Sequence, residues 1–390
     1  MKTVEFDHHD SKFVSNHQEK YAQLRETCPV GYSTAHGGFW VLSRFDDVVA
    51  VARNDKDFTS EISLLIPPGN IDRMIPLQSD PPDTERYRRV LMPYFSRQSV
   101  ERHAETIRAD IASAIDELVS QGGGEIVGAV ATPVPAKATM RLLGFPEAMW
   151  RTFADPIHQA TYGEPGTRGY QLAERKIGEF AKFIAAEVDA RQVEDSHDMV
   201  SDLVHRPNST EALTRDEIID LVRMVIFGGM DTVTGAISNI TAILATDMAL
   251  QTRLGEAPET IPDAVEEFLR FEAPIQGFAR KTNCPVQIGA QSIGQGELVW
   301  VNWGAANHDP RQFQDPECLD IARNPNRHLA FGIGQHVCLG ARLARLELRI
   351  FLEELVSRAP LFALGGGGIE LPGTIGQLLC KKKVEIRFIG

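Results

Sequence analysis

The stretch FGIGQHVCLG, from Phe331 to Gly340, sets a single cysteine, Cys338, among three glycines, a histidine and a phenylalanine. Cys338 stands just before an amphipathic run whose periodicity predicts a helix beginning near Leu339. A thiol at a helix N-terminus feels the positive end of the helix dipole and the unpaired backbone N–H groups there. Both favour the thiolate, the form an iron ligand requires, and N–H donors to the sulfur tune a metal's redox potential. Gly332, Gly334 and Gly340 let backbone turn tightly or come close to something flat. Taken alone, the same pattern also reads as a buried thiol in a turn.

A second constellation lies in TRDEIIDLVRMVIFGGMDTVTGAISNITAILATDM, Thr214 to Met248. Its centre holds Gly228 and Gly229, each costing roughly 1 kcal/mol in a helix relative to alanine. Asp231 and Thr232 follow, an acid and a hydroxyl where a core helix is dry. A helix that bends around a bound ligand accounts for this; a purely structural one gains nothing from it. The bland alternative for Thr232 is a hydrogen bond back to the carbonyl one turn earlier. Glu267 and Arg270, in EEFLR, share one helix face and alone read as a solvated pair. Arg342, Arg345 and Arg349 repeat at helical spacing, either as a solvated face or as a dock for an acidic partner.

Five motifs then carry a resemblance. FGIGQHVCLG resembles the haem-binding loop of the cytochrome P-450 family of haem-thiolate monooxygenases, with Phe331, Gly332, Cys338 and Gly340 on its fixed positions. EEFLR resembles the family's E-x-x-R helix. DIARNPNRHLAFG resembles the segment leading into the haem loop and supplies Arg323 and His328. GGMDT resembles the oxygen-activating turn of the long central helix, in the variant of the camphor-hydroxylating type, with Val233 where many members have a second threonine. DPPDTERYRRVLMPYFS, from Asp80 to Ser96, resembles the segment that meets the haem propionates. The motifs run from Asp80 to Gly340.

The resemblance implies haem b as cofactor with Cys338 as the iron ligand. It implies propionate contacts from Arg88, Arg280 (in GFARKT) and His336, since buried carboxylates need charged donors. Thr84 stands where many members have another propionate-binding histidine. Glu267, Arg270 and Arg323 become a buried structural triad that holds the cysteine loop. Thr232 handles dioxygen and its water, while Asp231 helps bring protons in from solvent. The implied reaction inserts one atom of O2 into an organic substrate and reduces the other to water.

No clear flavin-binding motif or iron–sulfur cysteine cluster is present. Electrons are therefore expected from an acidic ferredoxin-type donor with its NAD(P)H reductase, docking near Arg342, Arg345 and Arg349. The substrate walls are expected in ISLLIPPGNIDRMIPL, PIQGFA and IGQLL. These offer Leu65, Ile66, Ile75, Ile275, Phe278 and Leu378, joined by Phe227 and Met230 of the central helix. Such apolar walls suit a small to medium hydrocarbon-like substrate, a terpenoid for example. Gln276 is a lone polar group able to orient a carbonyl or hydroxyl, and Arg73 a solvent-facing loop residue or a carboxylate anchor. Two alternatives remain: a peroxygenase that takes hydrogen peroxide directly, and a non-catalytic haem-thiolate sensor. The Asp231–Thr232 pair speaks against both.

The elements that must position these groups read as mainly α with a minor β portion. β-rich parts are expected near 30–60, 274–301 and 365–390, and a helical core over 84–270 and 339–358. QGGGE and LGGGGIE read as turns, and KKKVEIRFIG alternates like a strand. Thr214 and Glu217 have capping-box spacing, and from Arg215 to Asp247 one continuous helix of about 50 Å is expected. The resemblance implies one triangular domain over 1–390. The 390-residue chain is 43% hydrophobic and carries a formal net charge of −13, which disfavours nucleic acid and anionic lipid as partners. Five scattered cysteines, Cys28, Cys284, Cys318, Cys338 and Cys380, form no C-x-x-C pair and fit a reducing compartment. The polar N-terminus lacks a signal peptide's apolar core, and no charge-free apolar run reaches the roughly 18 residues of a membrane span. The expectation is a soluble, cytoplasmic protein.

Overall fold

The computed structural model describes residues 2–68, 73–163, 166–205, 212–359, 361–372 and 378–389. They group into two compact units, one of residues 1–85, 266–338 and 373–379, the other of 86–265, 339–372 and 380–390. The secondary structure is mainly helical with a minor strand content, as the patterning requires.

The first unit is built on a six-stranded mixed sheet. Its order is Thr3–Val4, Val30–Ser33, Phe39–Leu42, Leu298–Asn302, Gly277–Thr282 and Phe58–Thr59. The run FWVL at Phe39–Leu42 is buried at all four positions, as a central strand covered on both faces must be. Successive side chains point to opposite faces. Trp40, Leu42, Val299 and Val301 accordingly join one hydrophobic cluster, and Phe39, Val41 and Trp300 another.

The second unit is helical with a three-stranded sheet. Ala104–Ser120 buries Ile107, Ile111, Ile115 and Leu118, one stripe at helical spacing. The pattern VERHAETIRADIASAIDELVSQ divides just before it, because Arg97–Glu101 ends as a separate short helix. Both glycine-rich segments depart from the expected turns. Gly123–Glu125 and Phe362–Glu370 are strands flanking Lys383–Phe388. A Cβ on Gly123 would fall 2.3 Å from the Ile386 carbonyl oxygen, so the missing side chains admit the partner strand where a turn would have excluded it. The Gly-rich part of Phe362–Glu370 is absorbed by a register shift between Leu364 and Ile369.

The central helix starts where its capping box places it. Thr214 accepts from the Glu217 amide, and the Glu217 carboxylate accepts from the Thr214 amide. Glu217 also accepts from Arg86 at 2.6 Å and from the Tyr87 hydroxyl at 2.8 Å. Arg86 leads the hydrogen bonds that hold its carboxyl down at about 2. The expected single helix is two: Arg215–Gly229, then Asp231–Leu244. Met230 breaks it with φ −97° and ψ −81°. The second piece ends at Leu244, short of Asp247, and the next helix, Met248–Glu256, leaves at 107°. Among the described residues, no single helix is long and apolar enough to cross a membrane.

Candidate active site

The cysteine loop belongs to the first unit and is shaped by its own backbone. The Gly332 amide donates to the Leu329 carbonyl at 2.9 Å, the Val337 amide to Gly334 at 3.2 Å, and the Cys338 amide to Phe331 at 2.9 Å. Gly334 has φ +79°, and a Cβ there would lie 2.7 Å from the Ala52 carbonyl oxygen. Left-handed backbone pressed against the end of the Phe45–Ala52 helix leaves glycine as the residue that fits. Cys338 is exposed, with Phe331, Gly332 and His336 partly exposed beside it in the loop. The following helix begins at Ala341, with Gly340 as its N-cap, two residues beyond the expected start.

Behind this loop, Glu267, Arg270 and Arg323 come together. Glu267 and Arg270 are both wholly buried. Arg270 donates twice to Glu267 at 2.8 Å, and Arg323 reaches the same carboxylate at 3.1 Å. The Asp320 amide and Asn326 also donate to Glu267, at 2.8 and 3.1 Å. The remaining guanidinium hydrogens go to backbone carbonyls of Asn307, Pro316, Cys318 and Gln314. A buried ion group lasts only when its donors and lone pairs are satisfied in this way. The network continues into the loop: the Asn307 side chain accepts from the Leu329 amide at 2.7 Å, and the Leu329 carbonyl accepts from Gly332. Asn307 and Asn326 carry no sequence signal of this role. His328 packs beside them and contacts Glu266 at 3.0 Å.

Arg280 lies on the Gly277–Thr282 strand and is 4% exposed. Its guanidinium donates to the Ala279 carbonyl. Burial pulls it down to about 10 against the opposing field of Asp80. Asp80 is itself occupied by Thr59 and by the Ser60 amide. A buried cation so lightly matched suits an anionic ligand such as a propionate. Thr84 is fully buried, and its hydroxyl donates to the Ser79 carbonyl at 2.5 Å. It is spent on its own turn. The donor types present in this unit, a loop-borne thiol and a buried arginine, fit haem.

The expected apolar walls in this unit are only partly at liberty. Leu65, Ile275 and Phe278 are half-buried, Ile75 is buried, and Leu378 pairs with Ile275 through an isolated bridge. Ile66 is packed into the cluster with Phe6, Phe13 and Trp300. Residues 69–72 and 375–377 of the wall segments lie outside the described residues. Gln276 does not serve as a free polar anchor. It is buried, accepts from Tyr21 at 2.9 Å and donates to Ala273 at 2.6 Å. Arg73 is half-exposed and lies 3.8 Å from Glu61, a loop arginine facing solvent.

Asp231 and Thr232 belong to the second unit, with Phe227, Met230, Arg88 and Gly340. The break at Met230 makes Asp231 the first residue of a new helix. Gly229 has a packing reason that the sequence hides: a Cβ there would meet the Thr139 hydroxyl at 2.4 Å. The restarted helix is tied down by Thr234, which donates to the Ala131 carbonyl at 2.8 Å. Thr232 makes the back-bond to Gly228 at 2.9 Å. Asp231 is buried, and among the described residues neither carboxylate oxygen has a hydrogen-bond partner. Met230 is buried, and Phe227 lies near Phe180. Arg88 is partly buried on the Asp83–Leu91 helix. On the Ala341–Arg358 helix, Arg342 is exposed and Arg345 half-exposed. Arg349 is shared by Glu101 and Glu353, each at 3.8 Å, which weakens it as a docking charge.

Comparison with known proteins places these features in one context. The family model described as "Cytochrome P450" matches residues 161–361. "Cytochrome P450 130" of Mycobacterium tuberculosis is 32% identical over 370 residues, 90% of each chain. "Mycinamicin IV hydroxylase/epoxidase" of Micromonospora griseorubida is 31% identical over 92% of each chain. The crystal structure of CYP109E1 from Bacillus megaterium in complex with testosterone superposes with a TM-score of 0.88 at 25% identity, covering 97% of this chain and all of that one.

Proposed function

Because the chain belongs to the cytochrome P450 family and is a haem b monooxygenase, we propose that it inserts one atom of O2 into a small to medium apolar substrate at unactivated carbon. In this reading residues 1–390 act as one catalytic domain. Cys338 ligates the iron, and Arg88, Arg280 and His336 hold the propionates. Glu267, Arg270 and Arg323 keep the cysteine loop in place. Bound haem supplies the redox and oxygen-activating chemistry. The chain's own work is to deliver protons to an apolar place and to keep bulk water out.

The observation that carries the reading is the helix break at Met230, which sets a buried, unsatisfied carboxylate directly before Thr232. Such a group is costly unless it has a task. Asp231 moves protons inward. The Thr232 hydroxyl, aimed by its bond to Gly228, presents its lone pairs to a water or to dioxygen. Thr232→Ala is expected to bind substrate and accept electrons as before while product per NADH falls several-fold and hydrogen peroxide rises. Unchanged coupling removes Thr232 from the mechanism. It would also favour the peroxygenase reading, since peroxide brings its own protons.

Electrons come from an acidic ferredoxin-type protein with its NAD(P)H reductase. Arg342 and Arg345 form the core of its dock, with Arg349 partly neutralised by Glu101 and Glu353. Reversing the charge at Arg345 is expected to slow ferredoxin-dependent turnover at low salt and to flatten its salt dependence. Substrate binding is expected to stay the same. Turnover untouched at low salt would make the stripe a solvated face.

For the substrate, a terpenoid remains the preferred class, supported by the apolar side chains at Leu65, Ile75, Ile275, Phe278, Phe227 and Met230. The engagement of Gln276 with Tyr21 and Ala273 removes one polar anchor and favours a substrate with few polar groups. One relative is named for mycinamicin IV and one structural neighbour holds testosterone. A steroid therefore stands beside a terpenoid as a candidate.

A further inference from the structure

His158 lies on the Trp150–Tyr162 helix and faces Asp231. Its Nδ1 is 3.7 Å from Asp231 Oδ1. Among the described residues, neither carboxylate oxygen of Asp231 has a hydrogen-bond partner, and neither has His158 Nδ1. An imidazole nitrogen and a carboxylate thus meet at ion-pair distance. The gap is too short to hold a bridging water, and a small side-chain rotation closes it to the roughly 2.7–3.2 Å of an N–H···O bond. The two side chains differ in exposure: 27% for His158 and 6% for Asp231. One end of the pair touches solvent and the other is buried.

The neighbouring groups leave the role to His158. The Tyr162 ring is 4.3 Å from the His158 ring. Burial first, then Cys380 and Asp231, push its phenol well above its ordinary value, so it keeps its proton. Asp155 on the same helix is exposed and pairs with Arg151 at 3.9 Å. Histidine is the side-chain type that both gives and takes a proton near neutrality.

We propose that His158 is the positioning and proton-exchange residue for Asp231, linking that buried carboxylate to solvent. The neutral imidazole, with its proton on Nδ1, gives that proton to Asp231 as Nε2 takes one from solvent, and a ring flip brings the new N–H round to face the carboxylate again. Each proton passed inward is matched by one taken from solvent, and no redox partner is consumed. The inference rests on the reading of Asp231 as the inward proton carrier.

Two measurements test it in the haem-loaded enzyme with a surrogate ferredoxin and reductase. His158→Ala and His158→Gln are both expected to lower product formation about tenfold and to raise the solvent deuterium isotope effect, because neither side chain gains and loses a proton near neutral pH, although glutamine keeps a hydrogen bond. Adding either change to Asp231→Asn is expected to cost nothing further. The second measurement does not depend on turnover. In thermal unfolding, His158→Ala is expected to lower Tm more in the unaltered chain than in the Asp231→Asn background, because only in the former does it strand a buried carboxylate. If Asp231→Asn uncouples the enzyme while both His158 variants keep normal product yield and isotope effect, the inference falls and the role of Asp231 stands. If Asp231→Asn itself changes nothing, the proton-carrier reading falls, and this inference with it.

Discussion

Cys338→His is expected to bring substrate turnover down to background while the chain still folds and takes up haem. A thiolate pushes electron density onto iron in a way that favours O–O cleavage, and a neutral imidazole does not. Cys338 itself carries little of the fold. It is exposed, on a loop whose shape is set by backbone bonds among Leu329, Phe331, Gly332, Gly334 and Val337. The variant therefore separates ligand from scaffold. Product formation and haem content are measured on the same sample. Haem retained with turnover lost is the expected result, and turnover retained would move the ligand to another residue.

Glu267→Ala is expected to have the largest effect on stability. The change leaves the Arg270 guanidinium at zero exposure, and that of Arg323 at 10% exposure, without their carboxylate. It also takes away the acceptor of the Asp320 amide and of Asn326. Breaking a buried ion group by removing one partner costs about 3–5 kcal/mol, chiefly from the charge left uncompensated. Glu267→Gln keeps the shape and part of the hydrogen bonding, so it falls in between. Because Asn307 links Arg270 to Leu329, and Leu329 to Gly332, the loss is expected to reach the cysteine loop and loosen haem retention. Denaturant unfolding measures the first effect and haem release the second. A loss below about 1 kcal/mol would reduce the network to a surface-like pair.

What the sequence made legible was local or motif-borne. The capping box at Thr214 and Glu217, the apolar strand FWVL and the face shared by Glu267 and Arg270 follow from spacing alone, and each is present. Arg323 joined that pair through family resemblance, since the long intervening chain gives spacing no purchase. The features that escaped depend on what a residue meets after folding. Gly228 and Gly229 looked like a ligand bend, yet Gly229 also makes room for Thr139 from another helix. The break fell at Met230, with no proline to announce it. QGGGE and LGGGGIE read as turns because glycine is turn-like, whereas their bare backbones are what a partner strand needed. Gln276 looked available because Tyr21 is distant in sequence. Glu347 sits in the charged pattern ARLARLEL but on the buried side of its helix, where desolvation pushes its carboxyl up to about 8. The pairing of His158 with Asp231 has no sequence signature at all.

The central claim is that Cys338 gives this chain a thiolate-ligated haem. The most direct measurement is the absorption spectrum of the haem-loaded protein, reduced and saturated with carbon monoxide. The red-shifted band from which the cytochrome P450 family takes its name is expected in the unaltered chain and is expected to be absent from Cys338→His. A spectrum showing only the band of a histidine-ligated haem in the unaltered chain would contradict it.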